Sequence, residues 1–172
     1  FNPTYLPRGK TAEEVAKEEG LEIQAAILSY GSYDMYTTSL KGFEKMKNFF
    51  WLISGSLPRG IFGKSFNAVD NPEMYKAVSP SFNIPMASER KLPPQLLTVG
   101  SNDKLVTPNS VRTYKEKLES SGQQVEYWEY EGQSHAYLDS NTKGFFSNNF
   151  EINAPPALEV MIRFLDKVFY KK

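Results

Sequence analysis

The sequence predicts an α/β fold on a parallel sheet, and three observations carry that expectation. Ile23 to Tyr30 is mostly apolar without alternation, the pattern of a strand covered on both faces. After Pro93-Pro94 the chain runs strand, helix, strand, helix with polar crossovers, which implies parallel neighbours joined by right-handed connections. The 172 residues are 40% hydrophobic and include two Trp, ten Tyr and twelve Phe, enough for one domain with a buried core.

Residues 1–10 hold two Pro and one Gly in irregular order and read as a loop. Thr11-Ala12-Glu13-Glu14 matches a capping box, in which the hydroxyl and the carboxylate satisfy open backbone N–H groups, and Gly20 stands where such a helix stops. A helix over 11–19 is therefore expected, then the first strand. Residues 41–55 read as helical because Phe43, Met46, Lys47 and Phe50 recur at spacings of three and four. From 54 to 91 Gly55, Pro58, Gly60, Gly63, Pro72, Pro80 and Pro85 predict short helices and loops, and irregular stretches of that length are commonly functional or form a lid. Gln95 to Val99 is a short strand ending at Gly100. Pro108 opens a helix at its first turn, Val111, Tyr114 and Leu118 share one face, and Gly122 ends it. Val125 to Tyr130 is an aromatic and β-branched strand, and Pro156 to Tyr170 a helix expected to bury Leu158, Met161, Leu165 and Val168.

Twenty Lys plus Arg balance twenty Asp plus Glu, which removes the bulk electrostatic argument for nucleic acid or an anionic membrane. A small molecule is the expected partner. The longest apolar run, Phe49-Phe50-Trp51-Leu52-Ile53, is far short of the ~20 residues that span a bilayer, so no transmembrane segment is expected. Without Cys there is no disulfide, thiol nucleophile or thiolate metal site, and a single His excludes a His-rich one. No metal or cofactor is implied.

In an open parallel sheet, reactive side chains collect just past the carboxyl ends of strands. Two loops occupy such places, Gly100 to Val106 after one strand and Glu131 to Ala136 after the next. They put Asp103 and the sole histidine, His135, at equivalent ends of adjacent strands, 32 residues apart. An Asp that accepts one imidazole N–H fixes the tautomer and stabilises the imidazolium, the acid and base of a nucleophilic triad. The structural alternative is a turn aspartate and an ordinary loop histidine.

Residues 92–138, with Leu92-Pro93-Pro94-Gln95-Leu96-Leu97-Thr98-Val99-Gly100-Ser101-Asn102-Asp103 and Gly132-Gln133-Ser134-His135-Ala136-Tyr137, resemble the acid and histidine segments of α/β-hydrolase esterases and lipases of the hormone-sensitive-lipase-like branch. Ile23 to Asp34 resembles the strand before that family's cap, Met46 to Trp51 its aromatic cap helix, and Tyr75 to Asn83 the return to the sheet. The resemblance implies the C-terminal portion of an α/β-hydrolase: parallel strands with flanking helices and a helical cap insertion. Residues 1–40 and 92–172 would form the core and 41–91 the cap or lid.

The family's Gly-x-Ser-x-Gly elbow and Gly-rich oxyanion loop do not occur. Gly132-Gln133-Ser134-His135-Ala136 comes close in letters but lacks the following helix, and Ser32 and Ser56 also lack the right surround. With Phe1 at its start, the chain is expected to be the C-terminal part of a hydrolase, its N-terminal half being further residues or a second chain.

The resemblance thus implies a serine-dependent carboxylic ester hydrolase acting on a small-molecule ester, with Asp103 and His135 catalytic and the nucleophile and oxyanion hole outside this chain, which alone would be inactive. Phe49, Phe50, Trp51 and Phe62, with Phe43 and Ile61, are candidates for the acyl lid or, equally, plain core. Asp139, Asp34 and Asp70 compete with Asp103 as the acid. Tyr30, Tyr33 and Tyr36 line the site or are surface and rim residues, and the charged run 112–119 is a solvated helix face. Two other readings remain: a prolyl-oligopeptidase-type serine peptidase, against which the 41–91 insertion speaks, and a noncatalytic hydrolase-fold binding module.

Overall fold

The computed structural model describes residues 12–18, 20, 22–44, 61–63, 65–139 and 150–170. Three parallel strands, β1 (Ala26–Ser29), β2 (Gln95–Gly100) and β3 (Val125–Tyr130), form a sheet in that spatial order. Ala26 pairs with Gln95 and Ser29 with Thr98, while β3 runs in register with β2 from Gln95↔Val125 to Gly100↔Tyr130. Around them lie α1 (Ala12–Glu18), α2 (Met35–Leu40), α3 (Pro72–Ala77), a 3₁₀ turn (Pro80–Phe82), α4 (Pro108–Ser120) and α5 (Phe150–Phe169).

The doubly covered strand is β2, all six of whose residues are buried. β1 is shorter than the apolar run that predicts it and is half-buried throughout, as an edge strand is, and Ile23 is largely exposed. On α4 the spacing of Val111, Tyr114 and Leu118 makes one apolar stripe, which docks on Leu97 and Val99 of β2. Burying each such aliphatic side chain contributes about 1.5–3 kcal/mol. Of the charged residues of 112–119, Arg112 pairs with Glu129 of β3 and Lys115 with Glu119, while half-buried Lys117 donates to the Ser81 carbonyl at 3.2 Å and lies over the Phe82 ring.

Tyr33 belongs to this core and not to the rim. Its ring stacks on Tyr114 at 4.1 Å and 10°, and its hydroxyl donates to the Leu28 carbonyl at 3.4 Å, so the polar tip is satisfied inside. The approach requires Gly31, since a Cβ there would stand 2.8 Å from the Tyr33 hydroxyl. The short α2 was not expected. Asp34 caps it, accepting from the Thr37 N–H and the Thr37 hydroxyl at 2.8 Å each, although Thr residues favour helices weakly.

Residues 41–44 form turns, and the rest of the helix expected over 41–55 lies outside the described residues. The C-terminal helix starts at Phe150, six residues before the expected Pro156, with Pro155 and Pro156 in its second turn. Asn153, Ala154, Ala157 and Phe164 form its buried face and hold that turn despite two missing N–H donors. Leu158, one step round from this face, is 45% exposed rather than buried; Met161, Leu165 and Val168 are half-buried.

One amide ties the return limb to the sheet. Buried Gln123 donates Nε2–H to the carbonyls of Pro85 (2.8 Å) and Arg90 (3.0 Å) and accepts the Leu92 N–H at 2.9 Å. Replacing it by Leu removes these three hydrogen bonds to backbone groups, and Gln123→Leu should lower the unfolding free energy in urea by roughly 2–3 kcal/mol.

Burial raises the phenols of Tyr33 and Tyr75 above their ordinary 10.0, Tyr75 to about 12 with added effect from the Glu44 carboxylate it bonds at 2.9 Å. A phenol held neutral in the fold stabilises fully below the unfolded value and loses that contribution as pH rises through the folded one. The urea midpoint should therefore stay flat with respect to these groups below pH 10 and fall as pH climbs toward 12, tracked by tyrosinate absorbance.

Candidate active site

β2 and β3 end side by side at the Gly100–Tyr130 pair, so the loops that follow start as neighbours. Hydrogen bonds then lace them together. The Ser101 N–H donates to the Tyr130 carbonyl (2.9 Å) and the Asn102 N–H to that of Gln133 (2.9 Å). The Gly132 N–H in turn donates to the Ser101 hydroxyl oxygen at 2.8 Å. Gly100 permits this closeness: a Cβ there would collide with the Gln133 carbonyl and stand 2.8 Å from that of Ser134.

These loops bring Asp103 and His135 together. Asp103 is only 2% exposed, and its Oδ1 accepts the N–H groups of Leu105 (2.9 Å) and Val106 (2.8 Å), which orients the carboxylate. Its Oδ2 lies 2.8 Å from His135 Nδ1. An ionised carboxylate can only accept, so Nδ1 carries the hydrogen and Nε2 is the basic nitrogen of the neutral ring. The imidazole is 24% exposed, which leaves it reachable from outside.

Aromatic rings and hydroxyls support the histidine loop. Tyr137, fully buried, shares a 2.6 Å hydrogen bond with the Thr98 hydroxyl, which donates to Ser29 Oγ at 3.0 Å. Burial raises the Tyr137 phenol, an effect its hydrogen bonds to Thr98 and Ser29 oppose. Tyr30 meets both the His135 and the Tyr137 rings edge-on, each at 5.3 Å. Burial, then the nearby charge of Asp139, raises the Tyr30 phenol and keeps it protonated. Tyr30 (φ 42°) and Ala136 (φ 59°) are the described non-glycine residues in the left-handed region, and both adjoin His135.

The competing carboxylates are occupied elsewhere or exposed. Asp34 caps α2, Asp70 accepts from Asn67 Nδ2 at 2.6 Å, and Asp139 is exposed past Tyr137. Ser134 is followed by turns, not by a helix, and Ser32 is exposed; Ser56 lies outside the described residues. Of the lid candidates, Phe62 packs edge-on against Tyr75 at 5.1 Å. Phe49, Phe50 and Trp51 lie outside the described residues. Tyr36 packs edge-on against Phe82. Among the described residues no group of three or more His, Cys, Asp or Glu could hold a metal, and no helix is long and apolar enough to cross a membrane. Sequence reasoning missed the Ser29–Thr98–Tyr137 chain. Thr98 was its signal, because a hydroxyl inside a fully buried strand must find a partner.

A family model described as the alpha/beta hydrolase fold matches residues 10–139. The chain belongs to the α/β-hydrolase fold family. Among solved structures it is similar to an esterase from the planctomycete Thermogutta terrifontis, with a TM-score of 0.57 and 21% identity over 96% of this chain and 49% of that one. The structure of esterase 2 of the same species phosphonylated by sarin gives 0.59 and 21% over 95% and 50%. Its propionate-bound structure gives 0.55 and 21% over 96% and 50%. The chain thus spans about half the length of these hydrolases. No curated protein sequence matches it.

The contact at Gly100 can be tested against that at Gly132, where a Cβ would meet nothing within 4 Å. Gly100→Ala should cost about 1–3 kcal/mol in denaturant unfolding through overpacking and shift the His135 ring resonances. Gly132→Ala, whose left-handed backbone (φ 74°) is its only obstacle, should leave those resonances in place.

Proposed function

We propose that this chain forms the acid- and histidine-bearing half of a serine-dependent carboxylic ester hydrolase. The observation that carries the reading is the 2.8 Å contact between a buried, twice backbone-bonded carboxylate and an accessible imidazole, at the carboxyl ends of adjacent parallel strands. A serine hydroxyl supplied from outside residues 1–172 attacks the ester carbonyl carbon while His135 Nε2 takes its proton. Asp103 holds the ring and stabilises the imidazolium. Collapse of the tetrahedral intermediate breaks the bond to the alcohol oxygen, which leaves with the proton from Nε2. Water then repeats the sequence on the acyl-enzyme. Oxyanion donors, each worth about 3–4 kcal/mol of barrier, are likewise supplied from outside.

Two surface features favour a missing half. β1 has a hydrogen-bonded neighbour on one side only among the described residues, leaving backbone groups open on the other. On α5, Leu158, Ile162 and Phe169 are exposed at helical spacing beside the buried face. In this reading residues 1–40 and 92–172 are core and 41–91 the lid, with Phe49, Phe50, Trp51 and Phe62 toward the acyl group.

Hydrolysis of short-chain nitrophenyl esters by the protein together with its N-terminal half tests the reading. His135→Ala should abolish turnover and Asp103→Asn lower kcat by about 10⁴-fold with KM little changed. The 172-residue chain alone should show no His135-dependent hydrolysis. Turnover indifferent to His135 would reject the reading, and no turnover at all would favour a binding module.

A further inference from the structure

The ring of Tyr30 meets the imidazole of His135 edge-on at a centroid distance of 5.3 Å. In the proposed reaction the alcohol oxygen leaves with the proton from Nε2, so the alcohol portion of the ester comes within hydrogen-bond reach of that imidazole. We infer that Tyr30 is a substrate-binding residue whose hydroxyl donates a hydrogen bond to a neutral ether or hydroxyl oxygen on the alcohol portion. The inference rests on the proposed role of His135 and names the class of alcohol that the site prefers.

The hydroxyl of Tyr30 differs from those of tyrosines nearby. Tyr33 donates to the Leu28 carbonyl, Tyr75 to Glu44 and Tyr127 to Glu129, and Tyr137 is paired with Thr98. Tyr30 has no such partner among the described residues, and its oxygen is not one of the buried atoms left without one, so it reaches the surface. Burial, then the charge of Asp139, holds the phenol protonated, which makes it a donor. The same carboxylate repels an anionic acceptor, and a neutral oxygen is the group that suits the hydroxyl.

The backbone keeps the phenol at this place under strain. The Tyr30 N–H donates to the Thr98 carbonyl at 2.6 Å, continuing the β1–β2 ladder by one residue. The chain then turns with Tyr30 at φ 42°, which costs a ring-bearing residue energy and persists only where its surroundings impose it. Outliers of this kind gather at ligand-binding and catalytic sites. Tyr137, fully buried, packs edge-on against the ring at 5.3 Å and fixes its position.

A matched pair of esters tests the inference on the protein together with its N-terminal half. Butyl acetate and 2-methoxyethyl acetate have the same chain length and differ by an ether oxygen in place of a methylene, and acid release follows the turnover of both. Tyr30→Phe keeps the ring and removes the donor. It should reduce the preference for the methoxy ester over the butyl ester, as a ratio of kcat/KM values, by roughly 2–10-fold, the span of one neutral hydrogen bond. Comparing the same two esters in both proteins cancels their intrinsic reactivities. A merely structural role would lower both values alike, and an unchanged ratio with His135-dependent turnover would overturn the inference alone. If Tyr30→Phe does not fold, Tyr30→Gly, which relieves the left-handed backbone, should show the same loss of preference, and an unchanged ratio there overturns the inference equally. No His135-dependent turnover of either ester would overturn the proposed function and this inference with it.

Discussion

The carboxylate of Asp103 has no exposed side-chain surface, so its charge must be met from within the protein. Withdrawing such a group from water costs several kcal/mol unless hydrogen bonds replace those lost. Three partners do so, and they come from two parts of the architecture. The N–H groups of Leu105 and Val106 precede α4, and the imidazole arrives from the loop after β3. For all three to converge, β2 and β3 must end in register and the following loops must touch. The parallel pairing, the bare Cα of Gly100 and the Asn102–Gln133 bond are conditions of that one satisfied charge.

Much of this was readable from residue order because it depends on local chemistry. Proline at the start of α4, the Val111–Tyr114–Leu118 stripe and the glycine after it state a helix and its buried face outright. Placing Asp103 and His135 at neighbouring strand ends needed only the right-handed crossover rule. What escaped depends on tertiary packing. Tyr33 looks like a rim tyrosine until α4 supplies Tyr114 to stack on. Pro155 and Pro156 signal a helix start, yet burial of Asn153, Ala154 and Ala157 carries α5 six residues further back. Left-handed backbone at Tyr30 has no local signature, for a glycine stands next to it.

Strain in the described structure is unevenly distributed. Two non-glycine residues hold left-handed backbone, and one lies beside His135 in sequence while the other touches it in space. Such conformations cost of order 1–3 kcal/mol each. The packing that sustains them is close at hand: Tyr137 follows Ala136 directly, and its buried ring meets Trp128, Tyr130 and Tyr30. An aromatic cluster of this kind can hold an unfavourable turn that an exposed loop could not.

Gln123 has a mechanical consequence. Its amide gathers carbonyls and an N–H from residues 85, 90 and 92 at one fixed point just outside β2. A displacement arriving along the chain from residues 65–82 meets that rivet before it reaches the strand that carries Asp103 on its far end. Load carried along the backbone there passes to Gln123 ahead of β3, at the end of the sheet opposite Asp103.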